Sequence, residues 1–228
     1  MSKSAVFLQV RLASTRLPGK ALLPLVDKPV IVHAMEALAS LPVPVRAVLT
    51  DASSAEKLRP AAASCGYDLF CGDPDDVLER YCAAARYFSV DTIVRATGDN
   101  PLVSAAVARE AMQLQSVTDA DYAGITGTPY GTGVEVVRAE ALFDLQQYSQ
   151  DPYHREHVTP GIYQNPDRYS VITRPAATSV RVPSMRVTLD TVEDYHYIAE
   201  LFEALYRGEP PELPELVAYG YKQHRTSA

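Results

Sequence analysis

The chain has 228 residues, 47% of them hydrophobic, and a formal net charge of −7 from 28 acidic and 21 basic side chains. That length suffices for one large α/β core, and the acidic balance argues against a broad nucleic-acid footprint. Three cysteines without a C-x-x-C pair suggest neither a disulfide framework nor a zinc ribbon. No apolar run approaches a signal-peptide core or a membrane span, so a cytoplasmic protein with no membrane insertion is expected.

In chain order, residues 5–10 are an apolar run with strand character, followed at once by Arg11-Leu12-Ala13-Ser14-Thr15-Arg16-Leu17-Pro18-Gly19-Lys20. Strand, basic loop with glycine, then helix is how an α/β sheet presents N–H groups and cations to a phosphate at a strand's carboxyl end. An ordinary solvated basic turn is the competing reading. Gly19-Lys20 is followed by Ala21 and no glycine precedes it at the Walker spacing, so an ATPase P-loop is excluded, and the dinucleotide fingerprint is missing too.

Further strands are expected at residues 45–50, 68–71 and 92–96, alternating with helical patterns at Ile31, Met35, Leu38 and Leu41 and at Val77, Tyr81, Ala84 and Phe88. Pro60 is expected to kink or restart the helix over 55–64. A helix follows over 104–117. Then Gly124, Gly127, Gly131 and Gly133 predict a mobile loop, which permits close backbone approach to a ligand or serves as plain surface, ahead of a strand at 134–137. Pro160 should interrupt the helix over 153–164. Residues 186–189 read as a strand ending at Asp190, residues 193–206 as a helix, and the proline-rich tail from Glu209 as peripheral.

Asp99, in Gly98-Asp99-Asn100-Pro101, and Asp190 each follow a predicted strand. Two strand-end carboxylates can jointly hold a hard cation such as Mg²⁺ beside phosphate oxygens, whereas either alone would commonly be a helix N-cap. His154 and His157 have the spacing of a metal pair. With Arg155 and Glu156 between them, an anion- or sugar-reading cluster is equally consistent, and a satisfied structural histidine is the commoner outcome for each because no third ligand is evident nearby. No nucleophile elbow is present, which leaves covalent hydrolase chemistry little support.

These residues resemble a known family. Arg11 to Lys20 is similar to the R-x-x-S-T-R-L-P-G-K phosphate loop of sugar cytidylyltransferases, the enzymes that make CMP-Kdo and CMP-sialic acid. Gly98 to Pro101 resembles their metal-binding G-D-x-P, and Leu189 to Tyr195 resembles their V-D-T-P-E-D-L. Asp75 to Tyr81 (D-D-V-L-x-R-Y) and Arg155 to Tyr163 (R-E-H-V-T-P-x-I-Y) resemble the spore-coat polysaccharide SpsF branch.

The resemblance implies a glycosyltransferase-A-like, Rossmann-like α/β fold with a mixed, mainly parallel sheet flanked by helices. It implies one domain over 1–228, with residues 1–117 as the nucleotide-binding half. Residues 118–228 would be the sugar-binding, metal and dimerisation half of a homodimer. It further implies that CTP and a sugar give a CMP-sugar and pyrophosphate. Arg11, Arg16 and Lys20 would be phosphate ligands, Leu12, Ala13, Ser14, Thr97 and Gly98 would border the nucleotide, and Asp99 and Asp190 would hold Mg²⁺. Arg11, Lys20, Asp99 and Asp190 would be the catalytic set. Tyr130, Glu135, His154, Arg155 and His157 are candidates for reading the sugar acceptor. The chain departs from the Kdo enzymes at Thr97 and around Val77, which makes cytosine selectivity less secure than nucleotidyl transfer. A sugar-1-phosphate nucleotidyltransferase using another NTP and a non-catalytic nucleotide-binding partner are the alternatives.

Overall fold

Alternation along the first strand, Ser4–Gln9 (β1), sends Val6 and Leu8 to one face of the sheet and Ala5 and Phe7 to the other, all fully buried. A strand apolar on both faces belongs at the centre of a layered sheet. The computed structural model describes residues 3–226, with side chains as far as Lys222. The remaining strands and α-helices are a short hairpin, β2 (Pro24–Leu25) and β3 (Lys28–Pro29), then α1 (Val30–Ala37), β4 (Val45–Thr50), α2 (Ala52–Ser64), β5 (Asp68–Cys71), α3 (Val77–Phe88) and β6 (Thr92–Thr97). After these come α4 (Ala105–Thr118), β7 (Tyr122–Thr126), β8 (Glu135–Arg138), α5 (Ala139–Tyr148), α6 (Pro152–His157), α7 (Pro160–Tyr163), β9 (Val171–Pro175), α8 (Val192–Leu205) and α9 (Leu213–Thr226).

Seven strands form one sheet in the order β5-β4-β1-β6-β8-β7-β9. All neighbours run parallel except β8, which is antiparallel to both β6 and β7. The fold is therefore α/β with a mixed, mainly parallel sheet, and the sheet runs without a break through both halves of the chain. Val6, Leu8, Val48, Val94 and Val136 pack under α1, α2, α4, α8 and α9. Ala5, Phe7, Leu49, Ile93 and Val137 pack under α3, α5 and α7. From β1 the chain moves outward to β4 and β5 and then crosses back to β6 on the other side of β1. Ligands of open α/β sheets bind outside the strand ends at such a reversal. In register, Gln9 lies beside Thr97, so the loops that follow β1 and β6 leave the sheet together.

Several expectations are corrected. The helix does not restart at Pro60, which lies within a continuous α2 on its exposed side, while Leu58 and Ala62 are buried on the opposite face. Gly124 belongs to β7, paired with Glu135 and Thr173, and only the later glycines form a loop. Residues 186–189 are no strand. They touch the 130–131 loop through a single bridge, with Tyr130 N–H donating to the Met185 carbonyl and Val187 N–H to that of Tyr130, both at 2.8 Å. The tail folds as α9, whose Leu213, Leu216 and Val217 join the core. Among the described residues no helix is long and apolar enough to cross a membrane.

Arg155 ties α6 to the rest of the molecule. Its guanidinium donates to Asp76 Oδ2 at 3.0 Å, to the Ser149 carbonyl at 3.1 Å and to the Gln146 carbonyl at 2.9 Å, which closes the C-terminus of α5. Asp76 in turn caps α3 by accepting from Glu79 N–H. The two SpsF-like segments are thus joined by one ion pair.

Two outcomes follow from this packing. Gly131 has φ +108°, and a Cβ there would lie 3.0 Å from the Val187 and Thr188 backbone, whereas at Gly133 the nearest atom is 3.8 Å away. Gly131→Ala should therefore lower unfolding free energy in urea by about 1–3 kcal/mol and Gly133→Ala by clearly less. In a double-mutant cycle of Asp76→Asn and Arg155→Met, the same measurement should give a coupling of about 1–2 kcal/mol. Additive losses would mean that the pair is incidental.

Candidate active site

The loop after β1 is closed by Gly19, which takes the left-handed conformation (φ +68°) and donates its N–H to the Leu12 carbonyl at 3.0 Å. Leu12 N–H donates to Ser54 Oγ at 3.1 Å, and Ser54 Oγ donates to Asp51 Oδ2 at 2.9 Å. Burial pushes the Asp51 carboxyl up, but hydrogen bonds from Ser53 and Ser54 hold it below the usual carboxylate range. Ser14 Oγ accepts from Leu17 N–H at 3.4 Å and so shapes the turn, while Ala13 is exposed at its crest.

The short helix at Lys20–Leu22 then buries Lys20, whose ammonium reaches across the cleft mouth. It lies 2.5 Å from Asp99 Oδ2 and 2.9 Å from Asp190 Oδ1, and it donates to the Leu189 carbonyl at 2.6 Å. Two carboxylates from opposite ends of the chain thus converge on one cation. Burial is the largest influence on Lys20 and lowers its pKa, yet the charge of Asp99 and hydrogen bonds to Asp99 and Asp190 more than reverse this, so the net shift is upward. Asp190 also takes Arg16 at 3.0 Å and Arg186 at 2.6 Å. Burial pushes Asp190 up, and Lys20 first, then Arg16 and Arg186, outweigh it and hold it below the usual range.

Gly98 sets the position of Asp99. Its N–H donates to the Gln9 carbonyl at 2.8 Å, and a Cβ would meet Val10 and Ile31 side chains at 3.0 to 3.3 Å, so any larger residue would have to push those side chains back for the β6 loop to lie this close to β1. Thr97 Oγ1 accepts from the Asn100 side chain at 2.8 Å, bracing the same turn. Arg11 points the other way from Lys20, donating to the Pro74 carbonyl and lying 3.8 Å from Asp75.

A cleft of about 800 Å³ opens beside these groups, bordered by Arg11, Thr97, Asp99 and Asp190 and also by Tyr130, Glu135, Tyr153 and His157. Tyr130 is exposed on the rim beneath Arg186, whose guanidinium lies 5.6 Å from the ring centre. Glu135 has both oxygens engaged: Arg95 at 2.5 Å, Tyr122 at 3.0 Å, and Thr159 at 2.8 and 2.9 Å. Arg95 and Glu135 face each other in register across β6 and β8. Burial would lower the Arg95 pKa, but Glu135 reverses this and the net shift is upward.

His157 borders the cleft, with its ring 4.5 Å from that of Tyr153. His154 and Arg155 do not. The His154 ring nitrogen Nδ1 is 2.7 Å from Ser149 Oγ, and Arg155 is committed to Asp76 and the end of α5. The two histidines therefore do not act as a metal pair, and no group of three or more His, Cys, Asp or Glu suited to a metal exists among the described residues. Asp99 and Asp190 are instead brought together on the Lys20 ammonium.

Sequence reasoning missed Arg95, Tyr122, Thr159 and Arg186 as members of the site. Arg95 carried a readable signal, a cation in the middle of the apolar strand 92–96, which demands a buried partner.

The cytidylyltransferase family model matches residues 5–225. The spore coat polysaccharide biosynthesis protein SpsF of Bacillus subtilis is 33% identical over 221 residues, covering 93% of this chain and 91% of that protein. A cytidylyltransferase from Leptospira borgpetersenii is similar in structure, with a TM-score of 0.92 at 25% identity, covering 99% of this chain and 96% of that one. A CMP:2-keto-3-deoxy-manno-octonic acid synthetase complexed with CTP shares the fold, with a TM-score of 0.69 at 17% identity over 89% of this chain and 99% of that one. Matched over nearly its full length by the family model and by these relatives, the chain belongs to the cytidylyltransferase family and is a nucleotidyltransferase.

Proposed function

We propose that the protein transfers CMP from CTP to an oxygen of a sugar or sugar acid, releasing pyrophosphate, and so supplies a CMP-sugar for surface polysaccharide synthesis. The convergence of Arg16, Lys20 and Arg186 on Asp190, with Asp99 on the same ammonium, carries the reading. Cations and carboxylates interleaved at a sheet's reversal point suit a metal-bound polyphosphate better than either a bare anion or a bare metal.

In-line displacement at the α-phosphorus requires positioning and charge neutralisation more than covalent catalysis. Arg11, Arg16 and Lys20 would bind the triphosphate and stabilise the charge that grows on the leaving pyrophosphate. Leu12, Ala13, Ser14, Thr97 and Gly98 would frame the nucleotide. Asp99 and Asp190 would hold Mg²⁺, which fits their paired oxygens and would supply Lewis acidity toward the phosphates and acidify an acceptor hydroxyl. For that, Lys20 must shift its hydrogen bonds from the carboxylates toward phosphate, a move its flexible four-carbon stem allows.

The acceptor would occupy the part of the cleft that the triphosphate leaves open. Tyr130, Tyr153 and His157 offer rings and hydrogen-bonding edges to a sugar, with the Arg95–Glu135 pair as a neutral polar floor.

Pyrophosphate release measured with CTP, UTP, GTP and ATP against a panel of sugar acids and sugar phosphates tests the proposal. It should be selective for CTP, depend on Mg²⁺, and fall by about 10²-fold or more in Asp99→Asn. Turnover only with another nucleotide and a sugar phosphate would contradict it, as would an undiminished Asp99→Asn enzyme.

A further inference from the structure

Arg80 is the largest wholly buried side chain in the molecule's core, and nothing in the nucleotidyl-transfer reading uses it. A buried guanidinium is costly unless its donors are matched. Here the matching groups are backbone carbonyls of one turn. Nε donates to the Asp73 carbonyl at 2.9 Å and Nη2 to the Pro74 carbonyl at 3.0 Å, while Nη1 is buried with no hydrogen-bond partner.

Room for this arrangement is made by Gly72, where a Cβ would lie 2.6 Å from Arg80 Cγ. The turn is tightened further by Asp73, whose carboxylate accepts from the N–H groups of Asp75 and Asp76 at 2.9 and 2.8 Å. The Pro74 carbonyl that accepts from Arg80 also accepts from Arg11 Nη1 on its cleft side. Two guanidiniums therefore share one carbonyl oxygen, one beneath the turn and one in the cleft. Burial first, and then repulsion from Arg11, lowers the Arg80 pKa.

We propose that Arg80 is a positioning residue for the polyphosphate site, fixing through the Pro74 carbonyl the place from which Arg11 reaches a bound triphosphate. The inference rests on the nucleotide reading above and extends it to the D-D-V-L-x-R-Y segment. A forked guanidinium can hold two successive carbonyls at once. A lysine ammonium, with three freely rotating donors at one atom, does not reproduce the fixed spacing and plane of that fork.

The test is calorimetric titration of the full chain with CTP, and separately with inorganic tripolyphosphate, both with Mg²⁺. The chains compared are wild type, Arg80→Met, Arg11→Met and the double variant, each checked for a cooperative thermal melt. Arg80→Met should weaken binding of both ligands by about tenfold, and in the Arg11→Met background it should add less than about twofold, since one residue acts through the other. If Arg80→Met does not melt cooperatively, Arg80→Lys, which keeps charge and stem but loses the fork, should give the same pattern.

Unchanged affinity in a variant that melts cooperatively would overturn the inference, and so would a loss that persists in full without Arg11. Wild-type binding of tripolyphosphate but not CTP would fault the nucleotide reading alone, with the inference then decided on tripolyphosphate. Binding of neither would overturn both.

Discussion

One ammonium holds the site together. Lys20 lies against Asp99 and Asp190, residues that reach it from the loop after β6 and from the segment leading into α8. Two carboxylates cannot converge in a half-buried setting unless a cation offsets their repulsion. Lys20 supplies that charge, and its bond to the Leu189 carbonyl fixes the backbone from which Asp190 projects. The surrounding cations follow from the same constraint. Arg16 and Arg186 approach Asp190 because its two oxygens still have lone pairs to fill, and the three cations gathered there offer donors to a polyanion.

The sheet makes this convergence possible. β1 and β6 are parallel neighbours whose ends lie side by side, so a basic loop and an acidic loop leave the sheet at the same place. Gly98 lets the two loops touch, and Gly131 lets the 130–131 loop support the segment that delivers Asp190. Further from the sheet, the 73–76 turn meets Arg11 on one side and Arg155 on another, which links the cation end of the cleft to the wall formed by α6 and α7.

The central sheet and the basic loop were legible in the sequence because they rest on local pattern. Residues 45–50 and 68–71 read as strands from their own composition, and these are the bounds of β4 and β5. Asp99 and Asp190 could be named from their places after apolar runs, but their meeting depends on a strand order that no local window contains. Residues 186–189 have strand composition yet form only a bridge, because their neighbour is a glycine loop rather than a strand edge. Arg155 looked like a ligand for an anion. Its sequence neighbours gave no hint that Asp76 and the end of α5 would take all of its reach.

The central claim is that Lys20 belongs to a metal-polyphosphate site and is more than a structural counterion. Titration of wild type and Lys20→Ala with CTP, each with and without Mg²⁺, addresses it most directly. The account predicts tighter CTP binding with Mg²⁺ in the wild type, and a loss of about tenfold or more in Lys20→Ala in a protein that still melts cooperatively. Equal CTP affinity in the two proteins, indifferent to Mg²⁺, would contradict it.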